Sequence, residues 1–272
     1  MTDIRETLPV AALAPFTLPG WLLRIGTALL FPAALVVVWH FASLYRWLPE
    51  QILPPPAYVL DAAIAAVREG DLLTHIGWSS SRVALGFVAG ATTGLILGFA
   101  MGLWRGLDDH IRPLFTAIAQ VPTIGWIPLL MLFLGIGEAL KIVIIAKAAF
   151  IPVVMSTAAA LRGVPRAFHE VADVFCLTRA QRLRLLILPA AVAPIFTGIR
   201  YGLTKAWTAL VAVELLASSE GLGFQLVWAR QMFWLDTMIF AMILIGLTGF
   251  LMDYALARVE LRLQRWRLET AE

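Results

Sequence analysis

The stretch Val83–Trp104, VALGFVAGATTGLILGFAMGLW, contains no charged residue. A membrane-spanning helix needs about 20 predominantly apolar residues, and this stretch meets that length. Glycine recurs in it at every fourth position: Gly86, Gly90, Gly94, Gly98 and Gly102. In a membrane, small residues at this spacing let helix backbones approach closely, so we interpret the stripe as a packing surface. Because each step of four residues turns the row by about 40°, it is expected to contact more than one neighbouring helix.

The composition of the whole chain agrees with a membrane protein. Of its 272 residues, 60% are apolar and 14% are charged, against roughly 45–50% and about 25% in soluble domains. These values exclude a disordered chain and a soluble globular domain. The net charge of +3 does not indicate nucleic-acid binding, because the basic residues lie between hydrophobic runs. The single cysteine, Cys176, excludes an internal disulfide and a CxxC site.

Six apolar runs predict an all-α, polytopic membrane protein with six transmembrane helices. They cover about 25–45, 83–104, 113–137, 140–161, 193–217 and 237–257. Pro122, Gly125 and Pro128 break the third run, which indicates either a proline kink or irregular backbone beside a water-filled cavity. Six spans place both termini on one side, and the segments on that side hold 14 Lys and Arg against 5 on the other. The positive-inside rule therefore predicts cytoplasmic termini.

The six-span domain is expected over 25–257, between a cytoplasmic N-terminal segment, 1–24, and a basic cytoplasmic tail, 258–272. The outer segment 46–82 is expected to contain an amphipathic helix. Segment 162–192 is the longest cytoplasmic loop and should fold as two helices, with Thr178 capping the second. Composition alone leaves two interpretations of this loop open: a protein-docking surface, or an interfacial helix on anionic lipid.

Several catalytic signatures are missing from the sequence. It contains no GxxxxGK[ST] phosphate loop, no HExxH zinc motif and no GxSxG nucleophile elbow. We therefore predict a non-catalytic chain that binds no metal and no cofactor. If transport here depends on ATP hydrolysis, the ATPase must be another chain.

The cytoplasmic loop carries a family resemblance. It reads Glu170-Val-Ala172, then Thr178, then Leu188-Pro-Ala-Ala191, and so resembles the EAA loop of permease subunits in binding-protein-dependent ABC importers. Four further stretches resemble the taurine, aliphatic sulfonate and nitrate importer permeases: Ile52–Pro56, Val121–Glu138, Trp207–Leu215 and Gly221–Phe224. The resemblance covers most of the chain.

The resemblance implies a type I ABC importer permease fold in the bacterial inner (plasma) membrane. It implies a permease dimer surrounded by membrane lipid, expected to be a homodimer. The implied partners are two cytoplasmic ABC ATPase subunits, which bind ATP and Mg, and a periplasmic or extracellular substrate-binding protein. The expected substrate is taurine or an aliphatic sulfonate, and the alternative is nitrate or another small nutrient. An ATP-independent secondary carrier is the alternative from a different class.

The resemblance also identifies the region around 166–176 as the coupling helix that would contact the ATPase. The expected coupling residues are Phe168, His169, Glu170, Val171, Ala172, Asp173, Phe175, Cys176 and Arg179. The family usually has glycine at the position of Cys176, where a left-handed turn would strain a residue that has a Cβ. The cysteine therefore leaves the geometry of this turn open.

Ionisable and aromatic residues within the spans are candidates for the translocation path. Lys147 and Lys205 fall inside predicted spans, where charged groups are costly and usually face a cavity or a partner. They either form an anion path, pair with a carboxylate such as Glu214, or extend toward the membrane surface. Trp126 and Trp207 are further candidates for the path. Glu214 is either a pore residue or a structural partner of Lys147.

Overall fold

The computed structural model describes residues 20–263, without the side chains of 20–26 and 28. Its regular elements over that range are all helical, which confirms the all-α fold. The α-helices are α1 Gly20–Leu44, α2 Pro56–Glu69, α3 Asp71–Leu103, α4 Arg105–Gln120, α5 Ile127–Leu134, α6 Glu138–Arg162, α7 Arg166–Val174, α8 Arg179–Arg182, α9 Leu188–Ala217, α10 Leu222–Gln231 and α11 Leu235–Leu263. Most of the predicted N-terminal segment 1–24, and of the tail 258–272, lies outside the described residues.

The chain divides into two compact units at Pro56. In the first unit, α1 contains Pro32, and the Trp39 indole N–H donates a hydrogen bond to the carbonyl oxygen of Pro54 over 3.0 Å. The proline-rich segment that follows α1 therefore returns to the same helix. The second unit begins at Ala57 and contains the helices from α2 onward.

Among the described residues, four helices are long and apolar enough to cross a membrane: Asp71–Leu103, Glu138–Arg162, Arg179–Ala217 and Leu235–Leu263. The helices Arg105–Gln120 and Thr123–Leu134 pass the same test together, with a 91° bend between them. This bend lies within the third apolar run, where prolines and glycine interrupt the pattern. The described part of α1 supplies a shorter apolar helix, Leu29–Leu44. The count of six spans stays a prediction.

The glycine stripe of α3 lies against α6. A Cβ at Gly86 would come within 2.6 Å of Ile145, and one at Gly102 within 2.6 Å of Leu161. The expectation of more than one neighbour stays a prediction, but at all five stripe positions the nearest atoms belong to α6. The physical reason is that a row of residues four apart is inclined to the helix axis, and a neighbour crossing at an angle stays in contact with it.

Helix α6 is the centre of the second unit. On a different face it packs against α9, where Gly198 is close to Ser156 and Gly202 is close to Val153. These pairings show that α9 runs antiparallel to α6, whereas α3 runs parallel to it. Helix α11 then packs on α9, with Gly249 beside the indole of Trp207. The close approach of α3 and α9 buries one part of α6, including Ile145, Ala149 and Val153.

The loop that follows α6 folds as two helices, as expected. Helix α7 ends in a left-handed residue, Cys176, with φ 51°. The Cys176 N–H donates to the Asp173 carbonyl oxygen and the Leu177 N–H to that of Ala172, which is the Schellman pattern of a helix end. The cysteine therefore adopts the turn that glycine favours. Thr178 then caps α8 through a reciprocal capping box with Gln181, as the sequence predicts.

Candidate functional site

A cavity of about 640 Å³ lies where the break after α4 meets α6 and α9. The irregular segment 121–124 forms one wall of the cavity. Pro122 cannot donate a backbone hydrogen bond, so the chain leaves the helical path at this point. Of the two interpretations of the broken third run, this arrangement favours irregular backbone beside a cavity.

Both span lysines line this cavity. Lys147 enters from α6, and its Nζ lies 4.7 Å from the ring centre of Trp126. Lys205 enters from α9, and its Nζ lies 5.1 Å from the ring centre of Tyr201. The aromatic faces stabilise the ammonium groups by a modest cation–π attraction. Within residues 20–263, neither lysine has a carboxylate partner.

The other candidate path residues, Trp126, Trp207 and Glu214, do not line this cavity. Trp126 packs on the core beneath Lys147, and its indole nitrogen is buried without a hydrogen-bond acceptor in the described part of the chain. Trp207 packs against α11. Glu214 belongs to a separate buried cluster, so the alternative in which it pairs with Lys147 or Lys205 does not describe this structure.

That cluster joins four helices near the far end of the bundle from α7. Arg82 is buried in α3 and donates to the Glu214 carboxylate over 2.7 Å. The same guanidinium binds both oxygens of Glu138 at 2.7 Å, and Lys141 donates to Glu138 over 2.7 Å. Such paired contacts are typical of Arg–carboxylate recognition. The sequence alone does not indicate this cluster, because its members lie far apart in the chain.

The cluster also holds the turn between α9 and α10. The Glu214 carboxylate accepts hydrogen bonds from the Ser79 hydroxyl and from the Gly223 N–H, both over 2.9 Å. Gly221 has φ 109° and lies directly against this carboxylate, so a side chain there would be strained and would overlap it. The buried charge therefore fixes the path of the backbone around Gly221.

The predicted coupling helix α7 exposes apolar side chains at the other end of the bundle. Phe168 and Val171 are exposed, and Phe175 is 71% exposed. Ala172 is buried and anchors the helix. Arg182 of α8 forms an ion pair with Asp173. Of the other predicted coupling residues, Glu170, Cys176 and Arg179 are exposed and His169 is partly buried. A short amphipathic helix with an exposed apolar face is suited to binding another surface.

A second buried charge cluster supports the base of this loop. Asp108 of α4 is buried and accepts hydrogen bonds from Arg112 and from Arg162, the last residue of α6. Arg162 also donates to the carbonyl oxygen of Met101 over 2.7 Å. These contacts tie three helix ends together where α6 leads into the loop before α7. Sequence reasoning identified neither residue as part of a cluster.

The side chains in residues 20–263 form no cluster of three or more His, Cys, Asp or Glu that could hold a metal ion. The cationic cavity and the exposed face of α7 are two surfaces on which a function can be argued. The cavity can attract an anion, and α7 can bind a protein or a membrane surface.

Comparisons with a family model and with known proteins agree on one family of transport proteins. A family model described as "Binding-protein-dependent transport system inner membrane component" matches residues 90–265. The taurine transport system permease protein TauC of Escherichia coli (strain K12) is 32% identical over 91% of this chain and 90% of its own length. The SsuC protein of Bacillus subtilis (strain 168), named for aliphatic sulfonates transport, is 33% identical over 91% of this chain and 88% of its own length.

Two further similarities extend this result. The nitrate import permease protein NrtB of Synechocystis sp. is 31% identical over 84% of this chain and 85% of its own length. Among solved structures, a chain of the inward-facing MetNI methionine ABC transporter superposes with a TM-score of 0.60. It covers 71% of this chain and 96% of its own length at 18% sequence identity, which supports the fold alone.

Proposed function

The chain belongs to the family of inner membrane components of binding-protein-dependent transport systems, and we propose that it forms the path for a small organic anion. As a member of this family it is a non-catalytic permease of an ABC importer, with ATP hydrolysis on a separate subunit. The proposed substrate is taurine or an aliphatic sulfonate, the solutes for which the relatives TauC and SsuC are named.

The observation that carries the substrate class is the pair of lysines in one cavity. Lys147 and Lys205 bring two ammonium groups to a site walled by three different helical segments. An ammonium group in a spanning segment is costly unless it faces water or a counter-ion. A sulfonate anion in the cavity would supply that counter-charge.

We further propose that α7 is the coupling helix. Its exposed apolar face would seat in a groove of the ATPase, which binds ATP and Mg. Movement of the ATPase subunits would then pass through α7 to α6 and α9, because charge clusters and close packing hold those helices as rigid bodies. A second copy of the chain and a substrate-binding protein outside the membrane complete the proposed assembly, with both termini of the chain in the cytoplasm.

The experiment that tests the substrate class is uptake into vesicles that contain the permease, its ATPase and its binding protein. We expect ATP-dependent uptake of labelled taurine or of hexane-1-sulfonate. Lys205→Met should lower the uptake rate by about tenfold or more, whereas Arg230→Met, which changes an exposed charge on α10, should not.

Other outcomes of the same experiment separate the alternatives. The relative NrtB, which is similar to this chain over most of its length, is named for nitrate import. Uptake of nitrate without uptake of a sulfonate would therefore indicate that the substrate is an inorganic anion. Uptake that continues without the ATPase would indicate a secondary carrier and contradict the proposal.

A further inference from the structure

We propose that the cavity is itself a binding site for an organic oxyanion with an apolar body, and that it discriminates against zwitterions. The site is formed by Lys147, Lys205, Tyr201 and the bend at Pro122. This inference rests on the proposed function and narrows it from sulfonates in general to those without an ammonium group. The permease itself would select among anions in this cavity, in addition to any selection by a binding protein.

The charge balance of the cavity favours an anionic ligand. It holds two ammonium groups, and no Asp or Glu lies among the described residues that line it. The nearest partners of Lys147 and Lys205 are aromatic faces, which do not neutralise a full positive charge. Among the described residues, the buried cations Arg82 and Lys141 are paired with carboxylates, whereas Lys147 is half-buried and Lys205 is exposed. The two lysines are therefore the groups that need an external anion.

Lys205 lies far from both ends of its helix. At a rise of 1.5 Å per residue, Lys205 lies about 18 Å from the end of α9 at Ala217 and about 26 Å from its start at Leu188. Its side chain is exposed in the single chain, and so is that of Tyr201, which is 52% exposed. An ammonium group at such depth is strongly disfavoured in lipid, so the open side of the cavity faces water or a second protein surface.

The charges of the cavity determine which anions fit. Taurine carries an ammonium group in addition to its sulfonate. In this cavity that group would meet two like charges and no carboxylate, and would lose hydration without compensation. An alkanesulfonate carries the same anionic head and no cation. The charge pattern therefore favours the alkanesulfonate, because like charges at close range disfavour the zwitterion.

The wall of the cavity determines which uncharged part of a ligand fits. Apart from the lysines, Tyr201 and two threonines, the wall of the cavity is apolar and includes Ile124 and Ile151. Its volume of about 640 Å³ falls within the roughly 300–1,000 Å³ typical of small-molecule sites. An inorganic anion such as nitrate would leave this apolar wall uncovered. An alkyl or aryl group attached to the sulfonate would cover it and add hydrophobic contact.

The test is equilibrium binding to the permease purified with its ATPase and without a binding protein. Hexane-1-sulfonate, taurine and nitrate are titrated calorimetrically into the nucleotide-free complex in a neutral detergent. We expect hexane-1-sulfonate to bind at least about tenfold more tightly than taurine or nitrate. Lys147→Met and Lys205→Met should each weaken its binding by about tenfold, since each removes one charge-assisted contact. Lys205→Arg should retain most of the affinity, and Arg230→Met should retain all of it.

Anionic lipid offers a second source of the same oxyanion chemistry. The titration is therefore repeated with added phosphatidylglycerol. Binding of hexane-1-sulfonate that persists in the presence of this lipid supports a solute site. Binding that the lipid abolishes, in a lysine-dependent way, identifies a headgroup site and overturns the proposal.

Other results would also overturn it: taurine binding as tightly as hexane-1-sulfonate, affinity unchanged in both lysine variants, or no binding by the intact complex at millimolar ligand. Co-purification of the ATPase with each variant serves as the check on folding. These failures are distinct from failure of the proposed function. Vesicles that import a sulfonate, although the complex shows no lysine-dependent binding, would contradict only this inference.

Discussion

The guanidinium of Arg82 lies 2.7 Å from the carboxylate of Glu214, and both groups are buried although 132 residues separate them in the chain. Arg82 also binds Glu138, so one side chain of α3 connects α6 with α9. A buried ion pair adds little net stability compared with apolar residues, because desolvation opposes the attraction. Removal of one partner destabilises the protein strongly, since the other charge is then left buried and uncompensated.

Replacement of Arg82 should therefore destabilise the protein strongly. We expect Arg82→Met to lower the free energy of unfolding by about 3–5 kcal/mol, because Glu214 would remain buried without a cation. The measurement is the thermal unfolding midpoint of the purified complex. Glu138→Gln is the control, and it should have a smaller effect because the Glu138 side chain is 47% exposed. Equal midpoints for wild type and Arg82→Met would contradict a structural role for the pair.

The contact between α3 and α6 should not tolerate a large side chain. A Cβ at Gly94 would lie 3.0 Å from the carbonyl oxygen of Phe150, so Gly94→Leu must separate the helices, at a cost of about 1–3 kcal/mol or more. We expect a marked loss of intact complex, measured by size-exclusion chromatography. Gly246→Leu makes the same change in α11, where no atom lies within 4 Å. Similar yields of the two variants would contradict the packing role of the stripe.

The left-handed turn at Cys176 predicts a stabilising substitution. A residue with a Cβ is disfavoured in this conformation by about 1–2 kcal/mol, and glycine relieves that cost while losing more entropy on folding. Cys176→Gly should therefore raise the free energy of unfolding by up to about 1 kcal/mol. Cys176→Ser removes the thiol and keeps the Cβ, so it should give no gain. A gain in the serine variant would mean that the thiol, rather than the backbone, causes the strain.

Docking of the ATPase on α7 makes a separate prediction. Glu170→Arg reverses a charge on the exposed part of α7, and we expect the ATPase to be lost from the complex purified in mild detergent. Mass spectrometry of the co-purifying proteins provides the measurement. Glu69→Arg reverses an exposed charge at the end of α2, far along the chain from the loop, and should leave the ATPase bound. Retention of the ATPase by both variants would exclude Glu170 from the docking contact.

Features that depend on local sequence could be predicted. Pro122 and Gly125 indicated a break in the third apolar run, and the chain bends there by 91°. Thr178 and its neighbours indicated a helix start, and the hydroxyl makes the expected cap. Prolines, glycines and capping residues act on the backbone within a few residues, so their effects can be recognised without knowledge of the tertiary structure.

Features that depend on distant contacts could not be predicted in this way. No local pattern in the sequence singles out Arg82 or Asp108. Their partners are provided by helix packing that brings residues 54 and 132 positions away into contact. The number of helices that the glycine stripe contacts also depends on packing, because the row of glycines does not specify the crossing angle of a neighbouring helix. The placement of Lys147 and Lys205 in one cavity depends on the same packing.

The π-helical turn Leu183–Ile187 sets the rotational phase between the two ends of one long helix. It lies between α8 and α9 in the continuous helix Arg179–Ala217, and Pro189 follows it without an N–H to offer to the α-helical ladder. A π turn amounts to one inserted residue, and one residue of an α-helix is about 100° of rotation. The direction of Arg182 relative to Lys205 therefore depends on this single inserted residue, since its removal would rotate one end of the helix against the other by about 100°.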